Sequence, residues 1–296
     1  MASILIFGLG YTAKVIAARL RAKGWTIRAT GRDGELDFAD RAAVESALAG
    51  ASHVLSSVPP DPAGGDPVLD AFGVSLSGKW LGYLSSTGVY GDTDGAWVDE
   101  TAPIGTGRRT ARADADCAWQ ETGAHVFRLP GIYGPGRSPL ERVASGAAHR
   151  IALPGQVFSR VHVEDIARGV IASFAAPAGV YNLADDCPVS QNTVIEEACR
   201  LLGREPPPLL SLEQANLSRQ ARAFYAENRR VANGKAKRVL GWKPDYPTYR
   251  EGLRALRAIA SPVSATTTPA TASTLQRSPS NSVESSIAMI GTSTLL

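Results

Sequence analysis

The stretch Ile4-Leu5-Ile6-Phe7-Gly8-Leu9-Gly10-Tyr11-Thr12-Ala13 decides the fold of this chain. An apolar run rich in branched residues is broken by Gly-x-Gly and followed by apolar residues at helical spacing, which predicts a strand, a tight turn and a helix. In such a unit Gly8 permits the turn, Gly10 lets the backbone approach a pyrophosphate, Ala13 allows close helix packing, and the free N–H groups of the helix start face the anion. Gly8, Gly10, Tyr11 and Ala13 are therefore candidate dinucleotide-binding residues. Any α/β protein with a glycine turn after its first strand shares part of this pattern.

Length, composition and charge favour a globular protein of the cytoplasm. The chain has 296 residues, 44% of them hydrophobic, which is enough to bury a sizeable core in one large or two smaller domains. Its apolar segments stay below the ~18 residues of a membrane span, and the N-terminus enters a strand without a signal-peptide pattern. The net charge of +3 comes from both signs spread along the chain, so it gives little support for nucleic-acid binding. We expect a cytoplasmic protein without a membrane partner.

The cysteines and histidines form no pattern of a metal site or a disulfide framework. Cys117, Cys187 and Cys199 are far apart in the sequence and odd in number, and the four histidines are dispersed. Neither C-x-x-C nor H-x-x-x-H occurs among them. We therefore expect reduced thiols and no bound metal.

Strand-like and helix-like segments alternate along the first two thirds of the chain. Short apolar or branched runs occur within 24–33, 36–40, 53–58, 80–86 and 125–129, and apolar residues at helical spacing separate most of them. We expect 36–40 to form a short third strand. This alternation predicts an α/β fold with a parallel sheet, whose carboxyl edge is where such folds bind ligands.

The end of the second strand carries the residue that chooses between NAD and NADP. A carboxylate at this position binds the ribose 2′-hydroxyl of NAD, whereas an arginine suits the 2′-phosphate of NADP. Arg32 occupies the expected position, Arg28 lies within the strand, and Asp33 follows one residue late. We favour NADP over NAD, with an ordinary solvated charge as the alternative interpretation of Arg32.

Five motifs in a characteristic order resemble the extended short-chain dehydrogenase/reductases, also called the NAD-dependent epimerase/dehydratase family. The resemblance spans about residues 1–260 and implies a Rossmann-type doubly wound parallel sheet with a small C-terminal substrate lobe. It is the order of the set, rather than any one motif, that is specific. The motifs are Gly8-x-Gly10-x-x-Ala13, Leu-Ser-Ser-Thr-Gly-Val-Tyr-Gly-Asp at 84–92, Arg-Leu-Pro-Gly-Ile-Tyr-Gly-Pro-Gly-Arg at 128–137, Val-His-Val-Glu-Asp-Ile-Ala at 161–167, and Leu-Gly-Trp-Lys-Pro at 240–244.

The resemblance also implies roles for individual residues. Ser86 matches the catalytic serine or threonine that hydrogen-bonds the reacting oxygen, with Ser85 or Thr87 as alternatives if the register differs by one. Tyr90 and His162 match positions that usually belong to the scaffold. The implied cofactor contacts are Asp37 and Phe38 beside the adenine, Ser57, Val58 and Pro59 beneath the nicotinamide ribose, and Pro130, Gly131 and Ile132 beside the nicotinamide.

The family's Tyr-x-x-x-Lys pair is missing from this chain. In that pair the ammonium group lowers the pKa of the phenol, which then exchanges a proton with the substrate. Between Gly91 and Ile132 the sequence has neither tyrosine nor lysine. Aligning Asp116 with the family's acidic residue on this helix puts Arg112 at the lysine position and Arg108 at the tyrosine position. An arginine does not give up its proton near neutral pH, so Arg108 cannot replace the phenol, whereas Arg112 retains the ability to anchor a ribose hydroxyl or a phosphate.

Three functions remain open at this point. The first is an atypical NADP-dependent oxidoreductase or nucleotide-sugar epimerase-like protein acting on a small carbonyl or hydroxyl substrate, with Ser86 orienting the reacting oxygen and the arginines at 108–112 binding an anionic substrate. The second is a non-catalytic NADP-binding redox sensor. Nucleic-acid contact through Arg108, Arg109 and Arg112 is the weakest of the three, because no aromatic platform accompanies the patch. A homodimer is compatible with the resemblance, since the family often dimerises.

The second half of the chain divides by composition and by resemblance. We predict an NAD(P)-binding domain over 1–183 with a substrate-side excursion at about 136–160, a substrate lobe over 184–260, and a disordered tail rich in Ser, Thr and Pro over 261–296. Ser190 is a candidate helix N-cap. Phe158, Arg160, Phe224 and Tyr225 are candidate pocket residues.

Overall fold

The computed structural model describes residues 2–106 and 110–260, with the side chains of 219–221 and 260 left out. The predictions made for Arg108, Arg109 and the tail over 261–296 lie outside the described residues.

Twelve strands and ten α-helices make up the described part of the chain, together with three short 3₁₀ helices. The strands are β1 (Ser3–Phe7), β2 (Thr26–Ala29), β3 (His53–Ser56), β4 (Trp80–Ser86), β5 (Trp97–Val98), β6 (His125–Leu129), β7 (Gly131–Tyr133), β8 (Arg150–Ile151), β9 (Arg160–His162), β10 (Gly179–Asn182), β11 (Leu209–Leu210) and β12 (Arg230–Val231). The helices are α1 (Tyr11–Arg21), α2 (Arg41–Gly50), α3 (Pro67–Phe72), α4 (Thr110–Glu121), α5 (Pro139–Ala144), α6 (Val163–Ala172), α7 (Gln191–Leu202), α8 (Arg219–Phe224), α9 (Gly234–Val239) and α10 (Tyr249–Ala260).

Six strands form one parallel sheet in the order β10-β6-β4-β3-β1-β2. The chain runs from β1 to β2 in one direction and then continues from β3 on the other side of β1. The sheet therefore reverses its winding between β1 and β3, where open α/β sheets bind ligands at the carboxyl ends of the strands. One apolar core cluster includes residues of α1 and α6, and a second includes residues of α2, α3 and α4. The predicted Rossmann-type doubly wound fold is confirmed.

The segment 36–40 does not form the strand that we predicted. It makes only an isolated bridge between Leu36 and Thr30 and then turns. The Asp37 carboxylate accepts a hydrogen bond from the N–H of Ala39 at 2.9 Å, and Asp40 caps α2 by accepting from the N–H of Ala43 at 3.1 Å. Aspartate side chains satisfy local N–H groups in this way more readily than they extend a sheet, so a turn replaces the strand.

Local capping explains where several helices begin and end. Ser138 and Glu141 form a capping box at the start of α5, and Ser190 caps α7 as predicted by accepting from the N–H of Thr193 at 3.1 Å. Helix α7 ends at Leu202 and is followed by its C-cap Gly203, whose φ of +63° is left-handed and therefore favours glycine. Helices α5, α7 and α10 pack their apolar faces into a third core cluster.

Three two-stranded parallel sheets lie outside the main sheet. The pair β8–β11 joins the predicted excursion to the predicted substrate lobe, β5–β12 joins the segment after β4 to that lobe, and β7–β9 joins the segments on either side of the excursion. They belong to the same compact unit as the main sheet. The boundary between 183 and 184 stays a prediction. Among the described residues, no helix is both long and apolar enough to span a membrane.

Candidate functional site

The turn between β1 and α1 is built for close approach of a ligand. Gly8 has a φ of +82°, and a Cβ there would lie 3.1 Å from Ser57 Oγ, so a larger residue would be strained. A Cβ on Gly10, by contrast, would meet nothing within 4 Å. Gly10 is also the N-cap of α1 and provides no side-chain cap, so the first N–H groups of the helix remain available to an anion.

Three neighbouring segments hold this turn in place. The Ser57 hydroxyl donates to the carbonyl oxygen of Gly8, and Val58 packs close to Gly8. Thr30 accepts the N–H of Gly8 through its Oγ1 at 3.2 Å and the N–H of Leu9 through its carbonyl oxygen at 2.9 Å. Ala13 is completely buried between α1 and the sheet, in agreement with a packing role. Pro59 is exposed in the loop after β3.

Gly31 belongs to the site and was missed from the sequence. Its φ is +104°, and a Cβ there would lie 3.1 Å from the backbone nitrogen of Leu9. A glycine is needed because the chain leaving β2 passes directly against the turn after β1. The dipeptide Gly31-Arg32 after a short strand was the available signal.

A cavity of about 360 Å³ opens beside Gly31 at the end of β2. Asp37 and Phe38, predicted beside the adenine, both line it, and Phe38 packs edge-on against Phe7 with the ring centroids 6.0 Å apart. The remaining lining residues are Gly34, Glu35 and Leu36.

The charges around this cavity leave Arg32 available. Lys14 forms an ion pair with Asp33 at 2.7 Å, which lowers the pKa of the Asp33 carboxyl group, and Arg28 is paired with Glu35 at 2.7 Å. Arg32 is exposed and makes no ion pair with any of the described residues. The one carboxylate that follows Arg32 directly is thus already neutralised by Lys14.

A second cavity of about 750 Å³ lies at the carboxyl ends of β4 and β6. Ser86 and the predicted nicotinamide neighbours Pro130, Gly131 and Ile132 all line it. The candidate pocket residues Phe158, Arg160, Phe224 and Tyr225 line it as well.

The three hydroxyl residues at the end of β4 differ in what they can offer a substrate. The Ser85 hydroxyl donates to Asp116 Oδ2 at 2.5 Å, so its proton is already used. Ser86 Oγ accepts the N–H of Gly88 at 3.1 Å, which leaves its own proton free to donate into the cavity. The structure therefore favours Ser86 over Ser85, while Thr87, which also lines the cavity, remains an alternative.

A buried polar network lies behind this edge of the sheet. Arg128 donates to Asp116 from Nε at 3.1 Å and from a terminal nitrogen at 2.7 Å, and it also donates to the Tyr90 hydroxyl at 3.0 Å. Tyr90 in turn donates to Asn182 at 2.7 Å. Burial raises the pKa of Tyr90 to about 12, so this phenol stays protonated at neutral pH. Tyr90 is thus a scaffold residue, as the resemblance implied.

Arg112 points away from the larger cavity. Its guanidinium donates to the Tyr83 hydroxyl at 2.9 Å, and the Tyr83 ring stacks on Trp119. Burial raises the pKa of Tyr83 to about 12. Arg112 is not among the residues that line the cavity. A catalytic role for Arg112, implied by its place at the family's lysine position, stays a prediction that no contact among the described residues supports.

His162 also serves the scaffold. Its Nδ1 caps α6 by accepting the N–H of Glu164 at 3.3 Å, and its ring packs on Tyr133 and Tyr246. Burial lowers its pKa to about 4, which keeps the imidazole neutral. Within the described residues, no cluster of three or more His, Cys, Asp or Glu side chains is arranged to hold a metal ion.

Tyr11 connects the two parts of the site. Its hydroxyl donates to the carbonyl oxygen of Pro135 at 3.0 Å, and the Arg137 guanidinium lies over its ring, 5.3 Å from the centroid. Arg137 lines the larger cavity and lies over Tyr11, the first residue of α1. Gly31 lines the smaller cavity and lies against Leu9, so both cavities adjoin the turn between β1 and α1. The arrangement suits an extended ligand with a central anion, an aromatic group at the end of β2, and a reacting group near Ser86.

Comparison with known proteins identifies relatives in sequence and in structure. No family model matches the chain. A functionally unknown conserved protein from Silicibacter pomeroyi is 44% identical, with a TM-score of 0.78 over 88% of this chain and 99% of that one. Protein YeeZ of Escherichia coli K12 is 27% identical in an alignment of 245 residues that covers 70% of this chain and 86% of YeeZ. A 3-diazoavenalumate denitrifying reductase from Streptomyces is 28% identical in an alignment of 181 residues that covers 53% of this chain and 58% of that protein.

More distant solved structures share the fold. The human epimerase family protein SDR39U1, determined with NADPH, has a TM-score of 0.69 and 16% identity over 86% of this chain and 99% of that one. A dTDP-glucose 4,6-dehydratase and a UDP-glucose 4-epimerase superpose at a similar level. The structural neighbours are thus epimerase/dehydratase and short-chain dehydrogenase/reductase proteins, and the resemblance seen in the sequence is confirmed for the fold.

Proposed function

Because the chain belongs to the same family as the Silicibacter pomeroyi protein and has the fold of the extended short-chain dehydrogenase/reductases, we propose that it is an atypical NADP-dependent oxidoreductase of the cytoplasm. The observation that carries the proposal is the turn at Gly8–Gly10. It combines free N–H groups at the start of α1 with open space where a Cβ of Gly10 would stand.

The residues around this turn fit an NADP molecule. The N–H groups at the start of α1 would hold the pyrophosphate, and the cavity lined by Gly31, Asp37 and Phe38 would take the adenine. Arg32 would bind the 2′-phosphate, because it is exposed, and its neighbour Asp33 is neutralised by Lys14. Bound near Pro130–Ile132, the nicotinamide would supply hydride transfer.

Ser86 would orient the reacting oxygen of the substrate. Its proton is free, whereas that of Ser85 is held by Asp116. With no Tyr or Lys between Gly91 and Ile132, we infer that the proton comes from water or from the substrate itself rather than from a lysine-activated phenol. Such a site suits best those substrates whose product of hydride addition is stable without a proton from an enzyme side chain. The denitrifying reductase among the relatives supports the proposal of an oxidoreductase over that of an epimerase.

Cofactor titration tests the proposal. We expect NADPH to bind at least about tenfold more tightly than NADH, measured by the fluorescence of the reduced nicotinamide. The Arg32→Ala variant should lose about tenfold in NADPH affinity and change little toward NADH, because only NADPH carries the 2′-phosphate. Arg21→Ala removes an exposed arginine from the far end of α1 and serves as the matched control. Equal affinity for the two cofactors would exclude the NADP preference.

A second test concerns Ser86. Once a substrate is found by monitoring NADPH oxidation over a panel of carbonyl compounds, Ser86→Ala should lower turnover at least about tenfold and leave NADPH affinity unchanged. Ser86→Thr keeps the hydroxyl and should retain part of the activity. Unchanged turnover in the alanine variant would remove Ser86 from the mechanism and leave Thr87 as the candidate hydroxyl.

A non-catalytic NADP sensor is the second candidate. The observation that favours it is that Arg112, at the family's lysine position, is bound to the buried Tyr83 hydroxyl and offers no proton relay. A sensor would bind NADPH and oxidise none of it across the same panel. Its affinity for a partner would then depend on the redox state of the cofactor.

A further inference from the structure

The larger cavity has an excess of positive charge that the protein does not neutralise itself. Arg137 and Arg142 are both exposed at its mouth, and neither makes an ion pair with any of the described residues. Within the described part of the chain, the Arg142 guanidinium makes two long contacts, to the carbonyl oxygen of Ala147 at 3.5 Å and to a ring nitrogen of His149 at 3.4 Å. His149 lines the same cavity.

The two carboxylates that line the cavity are already engaged. Glu141 accepts the N–H of Gly136 at 2.9 Å through one oxygen and the N–H of Ser138 at 3.1 Å through the other. Glu227 is paired with Arg229 at 2.9 Å. Neither carboxylate needs Arg137 or Arg142 as its partner, so these two guanidinium groups can receive an anion from outside.

Aromatic side chains form another part of the lining. Phe158 and Tyr225 pack edge to face with their ring centroids 5.5 Å apart, and Phe224 beside them is 50% exposed. When a flat apolar group covers an exposed phenylalanine on the wall of a cavity, apolar surface is removed from water, and this favours binding.

Asn228 fixes this aromatic segment relative to the rest of the cavity. Its carbonyl oxygen accepts the N–H groups of Thr93 and Gly95 at 3.1 and 2.9 Å, and its side-chain oxygen accepts the N–H of Val157 at 3.0 Å. Its side-chain nitrogen donates to the carbonyl oxygen of Gly155 at 3.1 Å. Three loops are joined through one residue, so the wall is preorganised rather than assembled by the ligand.

We propose that the substrate bound in this cavity is a flat aromatic acid, whose anionic group binds Arg137 and Arg142 and whose ring packs against Phe158, Phe224 and Tyr225. The inference rests on the proposed function, because the ring would lie in the same cavity as Ser86. It names the class of substrate that the proposed function leaves open.

Two dyes that differ by one charge test the proposal before any substrate is known. The probe is 8-anilinonaphthalene-1-sulfonate, an aromatic anion that fluoresces in apolar sites. The reference is N-phenyl-1-naphthylamine, which has the same rings without the sulfonate. In the full-length protein saturated with NADPH, the Arg137→Ala/Arg142→Ala double variant should lose about tenfold or more in affinity for the anionic dye and less than about twofold for the neutral dye.

Further variants separate charge from ring packing. Tyr225→Leu should lower the affinity for both dyes to the same extent, because the change removes an aromatic contact and no charge. Arg200→Ala, on the exposed face of α7, should change neither dye. As competitors, 4-hydroxybenzoate should displace the anionic dye and 4-hydroxybenzamide should not.

Two results would overturn the proposal. One is an equal effect of the double arginine variant on the two dyes. The other is displacement by uridine diphosphate but not by 4-hydroxybenzoate, which would assign the cavity to a nucleotide. NADPH affinity is measured on the same samples. If the protein does not bind NADPH but the two dyes still respond to the arginine variant as expected, the proposed function is refuted and the aromatic-acid site stands.

Discussion

The buried ion pair between Asp116 and Arg128 allows a quantitative test of how the site is supported. Asp116 is 0% exposed and accepts four hydrogen bonds, two from Arg128, one from Ser85 at 2.5 Å and one from Gln120 at 2.8 Å. The Asp116→Ala variant would leave the Arg128 guanidinium buried, with its hydrogen bond to Tyr90 as the remaining support. Removing one partner of a buried pair costs about 3–5 kcal/mol, a large share of the roughly 5–15 kcal/mol that stabilises a typical domain.

Urea unfolding followed by circular dichroism measures this loss. The matched control is Glu45→Ala, which removes the exposed pair between Arg41 and Glu45 on α2 and should cost only about 0.3–0.5 kcal/mol. The Asp116→Ala/Arg128→Met double variant should be more stable than the sum of its single changes predicts, because no charge is left buried alone. If Asp116→Ala costs no more than Glu45→Ala, the buried pair does not support the site as the geometry indicates.

Two further predictions separate cofactor binding from stability and fix a pH dependence. Gly10→Ala should change the free energy of unfolding by less than about 1 kcal/mol, because its Cβ meets open space, yet lower NADPH affinity at least about tenfold; unchanged affinity would show that the cofactor does not pass over Gly10. Burial raises the pKa of Asp185 to about 7. Between pH about 4 and 7 the folded protein therefore binds more protons than the unfolded chain, so its free energy of unfolding falls as the pH rises across this range. Asp185→Asn should reduce that loss by roughly 1–3 kcal/mol between pH 5 and 8 in urea titrations, and an unchanged slope would contradict it.

The site was predictable wherever a residue's role follows from its neighbours in the sequence. The glycine turn, the cap at Ser190 and the hydroxyl-rich end of β4 all depend on spacing within a few residues. The error at 36–40 has the same origin, because alternating apolar and acidic residues suit a strand and a capped turn equally well. In the folded chain, Asp37 and Asp40 accept the N–H groups of Ala39 and Ala43, and these hydrogen bonds favour the turn.

Contacts between distant segments were not predictable in this way. The resemblance pointed to Ser86, with Ser85 and Thr87 as alternatives one residue away. The contact with Asp116, 31 residues later than Ser85, argues against Ser85. Likewise, four arginines near the cavity look alike in sequence. Arg229 is neutralised by Glu227, 2.9 Å away, and Arg160 is buried among carbonyl groups, whereas Arg137 and Arg142 face the cavity mouth.

By itself, then, the sequence determined the alternation of strands and helices and the glycine turn on which the predicted dinucleotide site rests, since each depends on local backbone preference and hydrophobic periodicity. Only the tertiary structure decided which hydroxyl keeps a free proton, which arginines have no carboxylate partner among the described residues, and that Gly31 supports the turn at Gly8. These properties depend on distances between segments that lie far apart in the chain, and such distances are set when the sheet and its helices pack together.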